Sequence, residues 1–101
     1  MNYNFLIIGG DKRISNLAIS LKEDGHYVKT YANEVDNIEE LNTINDVYKD
    51  KSEVIISSIP LTKDNINVYT PLSKKIITLE ELNKISKDKI LITGKDILED
   101  E

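Results

Sequence analysis

Phe5-Leu6-Ile7-Ile8 runs straight into Gly9-Gly10, and Ile14, Leu17, Ala18 and Leu21 then recur at i, i+3, i+4 and i+7. That order of patterns leaves few folds open. A short apolar run stopped by glycines is the mark of a buried strand. The spacing after it is one face of a helix, started by Asp11 as N-cap and ended at Gly25. The expectation is a strand over Asn4 to Ile8, a tight turn, and a helix, which is the opening β-turn-α unit of an α/β fold.

The remaining patterns extend that unit. Tyr27 to Tyr31 reads as a second strand. Asn37 with Glu40 resembles a capping box, so a helix is expected somewhere between Ile38 and Lys49. Val54-Ile55-Ile56-Ser57 is continuous rather than alternating, the habit of a central parallel strand covered on both faces. Ile66 to Tyr69 and Lys75 to Thr78, separated by Pro71-Leu72-Ser73-Lys74, suggest a small hairpin appended to the sheet. Thr78 with Glu81 forms a second capping box ahead of Leu79, Leu82 and Ile85, which predicts a short helix over about 79–86. Ile90 to Thr93 is expected to be a last buried strand. Strands alternating with helices at this spacing predict a mainly parallel sheet in a three-layer Rossmann-like or flavodoxin-like fold, with the strand at Asn4 to Ile8 central between those at Tyr27 to Tyr31 and Val54 to Ser57.

Residues 1–101 read as a single domain, a length that buries roughly two-thirds of the unfolded surface. Cysteine is absent, which removes disulfides, thiolate metal sites and cysteine nucleophiles, and suits a cytoplasmic protein. The early apolar run is too short for a signal peptide or a membrane span. Eighteen acidic against thirteen basic residues give a net charge of −5, with no basic stripe, so neither nucleic acid nor a membrane is expected as a partner. The acidic end, Asp96-Ile97-Leu98-Glu99-Asp100-Glu101, looks cut off rather than finished.

The first turn fails the dinucleotide fingerprint. Counting from Gly9, the places of the second and third glycines of G-x-G-x-x-G hold Asp11 and Ile14, and an acid there opposes phosphate at the helix start. A flavin phosphate loop rich in Ser and Thr is missing as well, so neither NADP nor FMN is expected to bind this chain. A phosphoacceptor site of the receiver type would need an aspartate where Ser57-Ser58 stand. His26, the one histidine, falls in the turn before the second strand, away from Arg13, and reads as a solvated turn residue; with no cysteine beside it, no metal site is expected.

What remains is a cluster at the carboxyl edge of three strands, where ligands sit in such folds. It comprises Gly9, Gly10, Asp11 and Arg13 after the first, Ser57 and Ser58 after the third, and Thr93 and Gly94 after the last. Arg13 is the one arginine beside twelve lysines, and its planar fork pairs two-pronged with a carboxylate in a way that Lys cannot. Its bland alternative is a helix-surface ion pair. The cluster offers an anion-binding edge but no evident nucleophile or redox group, so the catalytic residues stay unknown and the chain reads as half of a site.

Ile8-Gly9-Gly10-Asp11 followed one place later by Arg13, the strand end Ser57-Ser58-Ile59-Pro60, the hairpin into Lys75-Ile76-Ile77-Thr78, and Ile92-Thr93-Gly94 resemble the amino-terminal domain of the dipicolinate synthase A subunit, over nearly the whole chain. The resemblance implies the substrate side of an NADP-dependent oxidoreductase that converts a dihydrodipicolinate-type precursor to dipicolinate in the mother cell of a spore-forming bacterium. It implies that NADP sits in a second Rossmann domain of the same polypeptide, missing here, that the flavoprotein-like B subunit of dipicolinate synthase is a partner, and that the isolated chain is inactive. The alternative from another class is a non-catalytic interaction module whose Rossmann-like edge docks a protein.

Overall fold

The computed structural model describes residues 3–58 and 61–93. Among the described residues there are five strands, β1 (Asn4–Ile8), β2 (Tyr27–Tyr31), β3 (Glu39–Glu40), β4 (Val54–Ser57) and β5 (Ile90–Ile92), and three helices, α1 (Lys12–Glu23), α2 (Ile44–Lys49) and α3 (Leu79–Ile85), in the order β1-α1-β2-β3-α2-β4-α3-β5. They form one sheet in the order β3-β2-β1-β4-β5, with every pairing parallel. This is the α/β layer fold that the strand and helix spacing predicts, with β1 central between β2 and β4.

The alternation of side chains across a strand sorts the core into two layers. On one face, Ile7, Val28, Val54 and Ile56 pack against Ile14 and Ala18 of α1. On the other, Leu6, Ile8 and Ile55 pack against Val47 of α2 and Leu82 and Ile85 of α3. All four residues of β4 are buried, as a strand covered on both sides must be. α1 begins on Asp11, whose side chain accepts the Arg13 N–H. It ends where Gly25 takes φ +94°, a conformation in which glycine has no Cβ penalty.

Four expectations are corrected. The helix expected between Ile38 and Lys49 is present as α2, but Asn37 does not cap it: that residue sits at φ +67°, Glu39–Glu40 pairs as a short strand with Lys29 and Thr30, and α2 begins only after Thr43, which forms the capping box with Asp46. The box at Asn37 fails because Glu40 turns to partners elsewhere, described below. The hairpin is not added to the sheet. Residues 61–78 form an arm joined by two isolated antiparallel bridges, Thr62 with Val68 and Asn67 with Thr78, and it folds over the carboxyl edge, bonded through Tyr69 to the glycine turn. β5 is a sheet edge, leaving Ile90 62% and Ile92 44% exposed; the two share a face with Val54 and Ile56, where α1 does not reach them. Leu17 lies at the rim of α1, 38% exposed, because the helix is rolled toward Ser15, whose hydroxyl donates to Asn33 Oδ1 at 2.8 Å. The capping box of Thr78 and Glu81 is present as expected.

The arm carries its own turn. The Asp64 carboxylate accepts the backbone N–H groups of Asn67 (2.8 Å) and Ile66 (2.9 Å), the Asn67 Nδ2 (3.1 Å) and the Thr62 hydroxyl (3.2 Å). The Asn67 and Ile66 amides, stronger than the partial desolvation that opposes them, hold its pKa down to about 2. A folded pKa below the unfolded value of 3.8 means that this carboxylate contributes stability above about pH 4, and loses it as pH falls toward 2. Thermal melts from pH 5 to pH 2 are expected to show a steeper acid limb for the unaltered chain than for Asp64→Asn, with the two converging near pH 2. Parallel limbs would mean that the carboxylate does not hold the turn.

Candidate functional site

The glycine turn is shaped by crowding from two sides. Gly9 and Gly10 take φ +69° and +94°. A Cβ on Gly9 would stand 2.8 Å from the Tyr69 carbonyl oxygen, and one on Gly10 would stand 2.6 Å from Ile14 Cβ. The chain therefore needs glycine twice so that the arm and α1 can close on the end of β1. The Gly9 N–H donates to Tyr31 O and the Gly10 N–H to Tyr69 O, both at 2.8 Å. Asn33, 1% exposed, donates from Nδ2 to Gly9 O at 2.8 Å and Gly10 O at 3.3 Å. Both turn amides are thus engaged within the fold.

Asp11 and Arg13 stand at the mouth of this turn. Arg13 donates from Nε to both carboxylate oxygens of Asp11 (3.3 and 3.2 Å) and from Nη2 to Oδ2 (2.9 Å), while its backbone N–H completes the cap. The Arg13 side chain is 69% exposed. The hydrogen bond from Arg13 holds the Asp11 carboxyl below its ordinary range. That same bond and the charge of Asp11 raise the guanidinium, to which the nearby Tyr69 phenol adds. In energetic terms an exposed pair of this kind contributes little to stability. Its chemical consequence is a preset fork, already aligned to a carboxylate.

The serines behave differently. Ser57 and Ser58 are fully buried, and their hydroxyls donate to backbone carbonyls, Ser57 to Ile8 at 3.3 Å and Ser58 to Leu61 at 3.0 Å. They join β4 to β1 and to the base of the arm. Thr93 is 2% exposed at the end of β5. Gly94, with Ile59 and Pro60, lies outside the described residues. Gly9, Gly10, Asp11 and Arg13 are thus gathered at one turn, with Ser57 beneath them through its bond to Ile8. His26 lies at the opposite edge, its Nδ1 accepting the Tyr3 N–H at 3.1 Å and its ring packed on Phe5 and Tyr3. Among the described residues no group of acids and histidine is placed to hold a metal ion, and no helix is long and apolar enough to cross a membrane.

Sequence reasoning missed the residues that hold the edge together. Glu40 accepts the Thr30 hydroxyl (2.5 Å), the N–H groups of Ala32 (2.9 Å) and Glu34 (3.0 Å), and the Lys75 ammonium (2.5 Å). Burial opposes its ionisation, but Lys75, Thr30 and the two amides outweigh it and hold the carboxyl below its ordinary range. Lys75 also donates to Leu41 O at 2.8 Å and lies 5.4 Å from the Tyr31 ring centroid. Through this pair the arm is tied to the turn after β2, where Ala32 and Glu34 both sit at φ +61°. Beside that turn a hollow of about 370 Å³ opens between Lys12, Asn16 and Ile19 of α1, Asp36, and Leu72 of the arm.

Comparison with known proteins gives a consistent answer. A family model described as the N-terminal domain of the dipicolinate synthase A subunit matches residues 4–96. Two solved structures share the fold. The A chain of dipicolinate synthase from Bacillus subtilis superposes with a TM-score of 0.68 at 16% identity, over 93% of this chain and 40% of that one. The dipicolinate synthase A subunit from Bacillus halodurans superposes with a TM-score of 0.67 at 18% identity, over 93% and 41%. The chain thus spans about two-fifths of the length of these relatives. No curated protein matches it in sequence.

Proposed function

Because the chain belongs to the family of N-terminal domains of the dipicolinate synthase A subunit, we propose that it is the substrate-side domain of such an enzyme, which oxidises a dihydrodipicolinate to dipicolinate during sporulation. Oxidised NADP, when bound, would supply the hydride acceptor for that oxidation, and the ring would become aromatic with both carboxylates unchanged. The residues of this chain bind and orient the substrate. The family resemblance implies that NADP belongs to a second Rossmann domain facing this edge across a cleft; in this chain the turn amide of Gly10 is bonded to Tyr69 and a carboxylate stands at the helix start, an arrangement that does not suit a pyrophosphate. On this reading the isolated chain is inactive, the B subunit is a partner of the whole enzyme, and the compartment is the cytoplasm of the mother cell.

The observation that carries the reading is the Arg13 fork, exposed on the carboxyl edge and paired there with the Asp11 carboxylate, which a substrate carboxylate would displace. Arg13→Lys keeps the charge and loses the fork. Hydrogen bonds to charged groups are worth about 1.5 to 3 kcal/mol, so in the complete two-domain protein kcat/KM is expected to fall roughly ten- to a hundredfold with little change in Tm. The pairing of Arg13 with Asp11 favours a second reading, an interaction module in which the arginine serves only the fold. Normal kinetics for Arg13→Lys would select that reading, whatever the small change in Tm.

A further inference from the structure

We propose that residues 69–76 of the arm and the turn at 32–34 are a strap and its catch, which open and close as one unit on Glu40 and, when closed, cap the Gly10 amide with the Tyr69 carbonyl. This goes beyond the substrate reading of Arg13 and does not depend on it. Gly10 is clamped on both sides. Its N–H donates to Tyr69 O at 2.8 Å, and its carbonyl accepts Asn33 Nδ2 at 3.3 Å. Tyr69 belongs to the arm and Asn33 to the turn after β2, yet both segments lead to the same carboxylate. Glu40 Oε2 accepts Lys75 Nζ at 2.5 Å and the Ala32 N–H at 2.9 Å, while Oε1 accepts the Glu34 N–H at 3.0 Å. A further bond joins the segments directly, from the Ser73 hydroxyl to Glu34 Oε2 at 2.5 Å.

The strap can come away without the core. Val68 and Ile77 at its two ends are buried and joined by a bond from Val68 N–H to Ile77 O at 2.8 Å, whereas residues 69–76 between them are exposed or half-buried. A segment with so little buried apolar area opens at a lower free energy than the sheet beneath it. It is also bonded within itself, Thr70 Oγ1 donating to Lys75 O at 3.2 Å and Ser73 Oγ accepting the Lys75 N–H at 3.1 Å, so it moves as a piece. The catch is strained, for Ala32 and Glu34 both sit at φ +61°, where residues with side chains stay only when their surroundings impose it. The bonds to Glu40 impose it. Losing one of the two segments from Glu40 therefore loosens the other, and a ligand that takes the Gly10 amide has to displace Tyr69 O, which links binding at the turn to release of the strap.

The test is native-state amide hydrogen exchange at low guanidinium concentrations. In the unaltered chain the amides of Gly10, Ala32 and Glu34 are expected to share one opening equilibrium, reached more easily than that of the β1 and β4 amides. Lys75→Met leaves Glu40 its bonds from Thr30, Ala32 and Glu34 and touches none of the three reporters. It should nevertheless speed all three by a common factor of about ten to a hundred, the worth of one hydrogen bond to a charged group. Ala18→Gly, buried in the layer between α1 and the sheet, lowers global stability and should speed the β1 and β4 amides about five- to tenfold while leaving the three reporters unchanged. If the three exchange only together with β1 and β4, in the unaltered chain or in Ala18→Gly, there is no separate strap. If Lys75→Met speeds Gly10 without Ala32 and Glu34, or speeds none of them, Glu40 does not couple the two segments and the proposal is overturned.

Discussion

Gly10→Ala is expected to destabilise this domain by about 3 kcal/mol, from roughly 1 kcal/mol of backbone strain at positive φ and about 2 kcal/mol of overpacking. The new Cβ would stand 2.6 Å from both Cβ and Cγ1 of Ile14 and 3.0 Å from Cγ2. Ile14 is β-branched, 3% exposed and packed in the layer between α1 and the sheet, so it has no rotamer that clears the space. Relief requires α1 to move away from β1. At about 4–8 °C per kcal/mol for a domain near this size, Tm should fall by roughly 12–24 °C. Gly25→Ala, at the same φ of +94° but exposed, isolates the backbone contribution and should cost about 1 kcal/mol. Equal losses for the two variants would show that crowding against Ile14 contributes nothing.

Glu40→Ala is expected to cost about 3 kcal/mol as well, the lower end of the range for breaking a buried pair from one side. The side chains of Lys75 and Glu40 are 26% and 17% exposed, so solvent screens the orphaned ammonium only in part. The loss reaches beyond the ion pair, because the amides of Ala32 and Glu34 lose their acceptor together. Those amides belong to a turn with two non-glycine residues at positive φ, a conformation that persists only when its surroundings impose it. Adding Lys75→Met to Glu40→Ala removes the unpaired charge, and the double variant is expected to regain part of the lost Tm. A double variant no more stable than Glu40→Ala alone would place the whole cost in the turn.

These two variants mark the boundary of what the sequence discloses. The β1-turn-α1 unit is legible because local causes produce it. Apolar continuity, two glycines, an aspartate cap and a helical period lie within eighteen residues, and each points to the same element. β4 and α3 are legible for the same reason. β3 is not, since two glutamates carry no strand pattern; they pair only because β2 offers its edge and Glu40 finds Lys75, thirty-five residues on. Asn33 is hidden in the same way, being a polar residue in a loop until the fold brings it beneath Gly9 and Gly10. The exposure of β5 depends on what lies beside the sheet, which periodicity does not encode. At the site, Gly9, Gly10, Asp11 and Arg13 could be named from the turn alone, but the closeness of Asp11 to the Arg13 fork is a matter of side-chain geometry. Ser57 and Ser58 were expected at the strand end, and nothing local reveals that their hydroxyls face backbone carbonyls.

The bond from the Gly10 amide to the Tyr69 carbonyl has a bearing on how a protein engineer would approach this domain. Recasting residues 9 to 14 toward a cofactor fingerprint, by supplying glycine at position 11 and at position 14, would leave a peptide oxygen facing the very amide that a pyrophosphate has to reach. The obstacle is a neighbouring stretch of backbone, and no side-chain exchange within the turn removes it. Shortening the 61–78 arm would have to come first, and that would also remove Lys75 from Glu40. Cofactor capture at this turn and closure of the arm over it are therefore mutually exclusive designs on this scaffold.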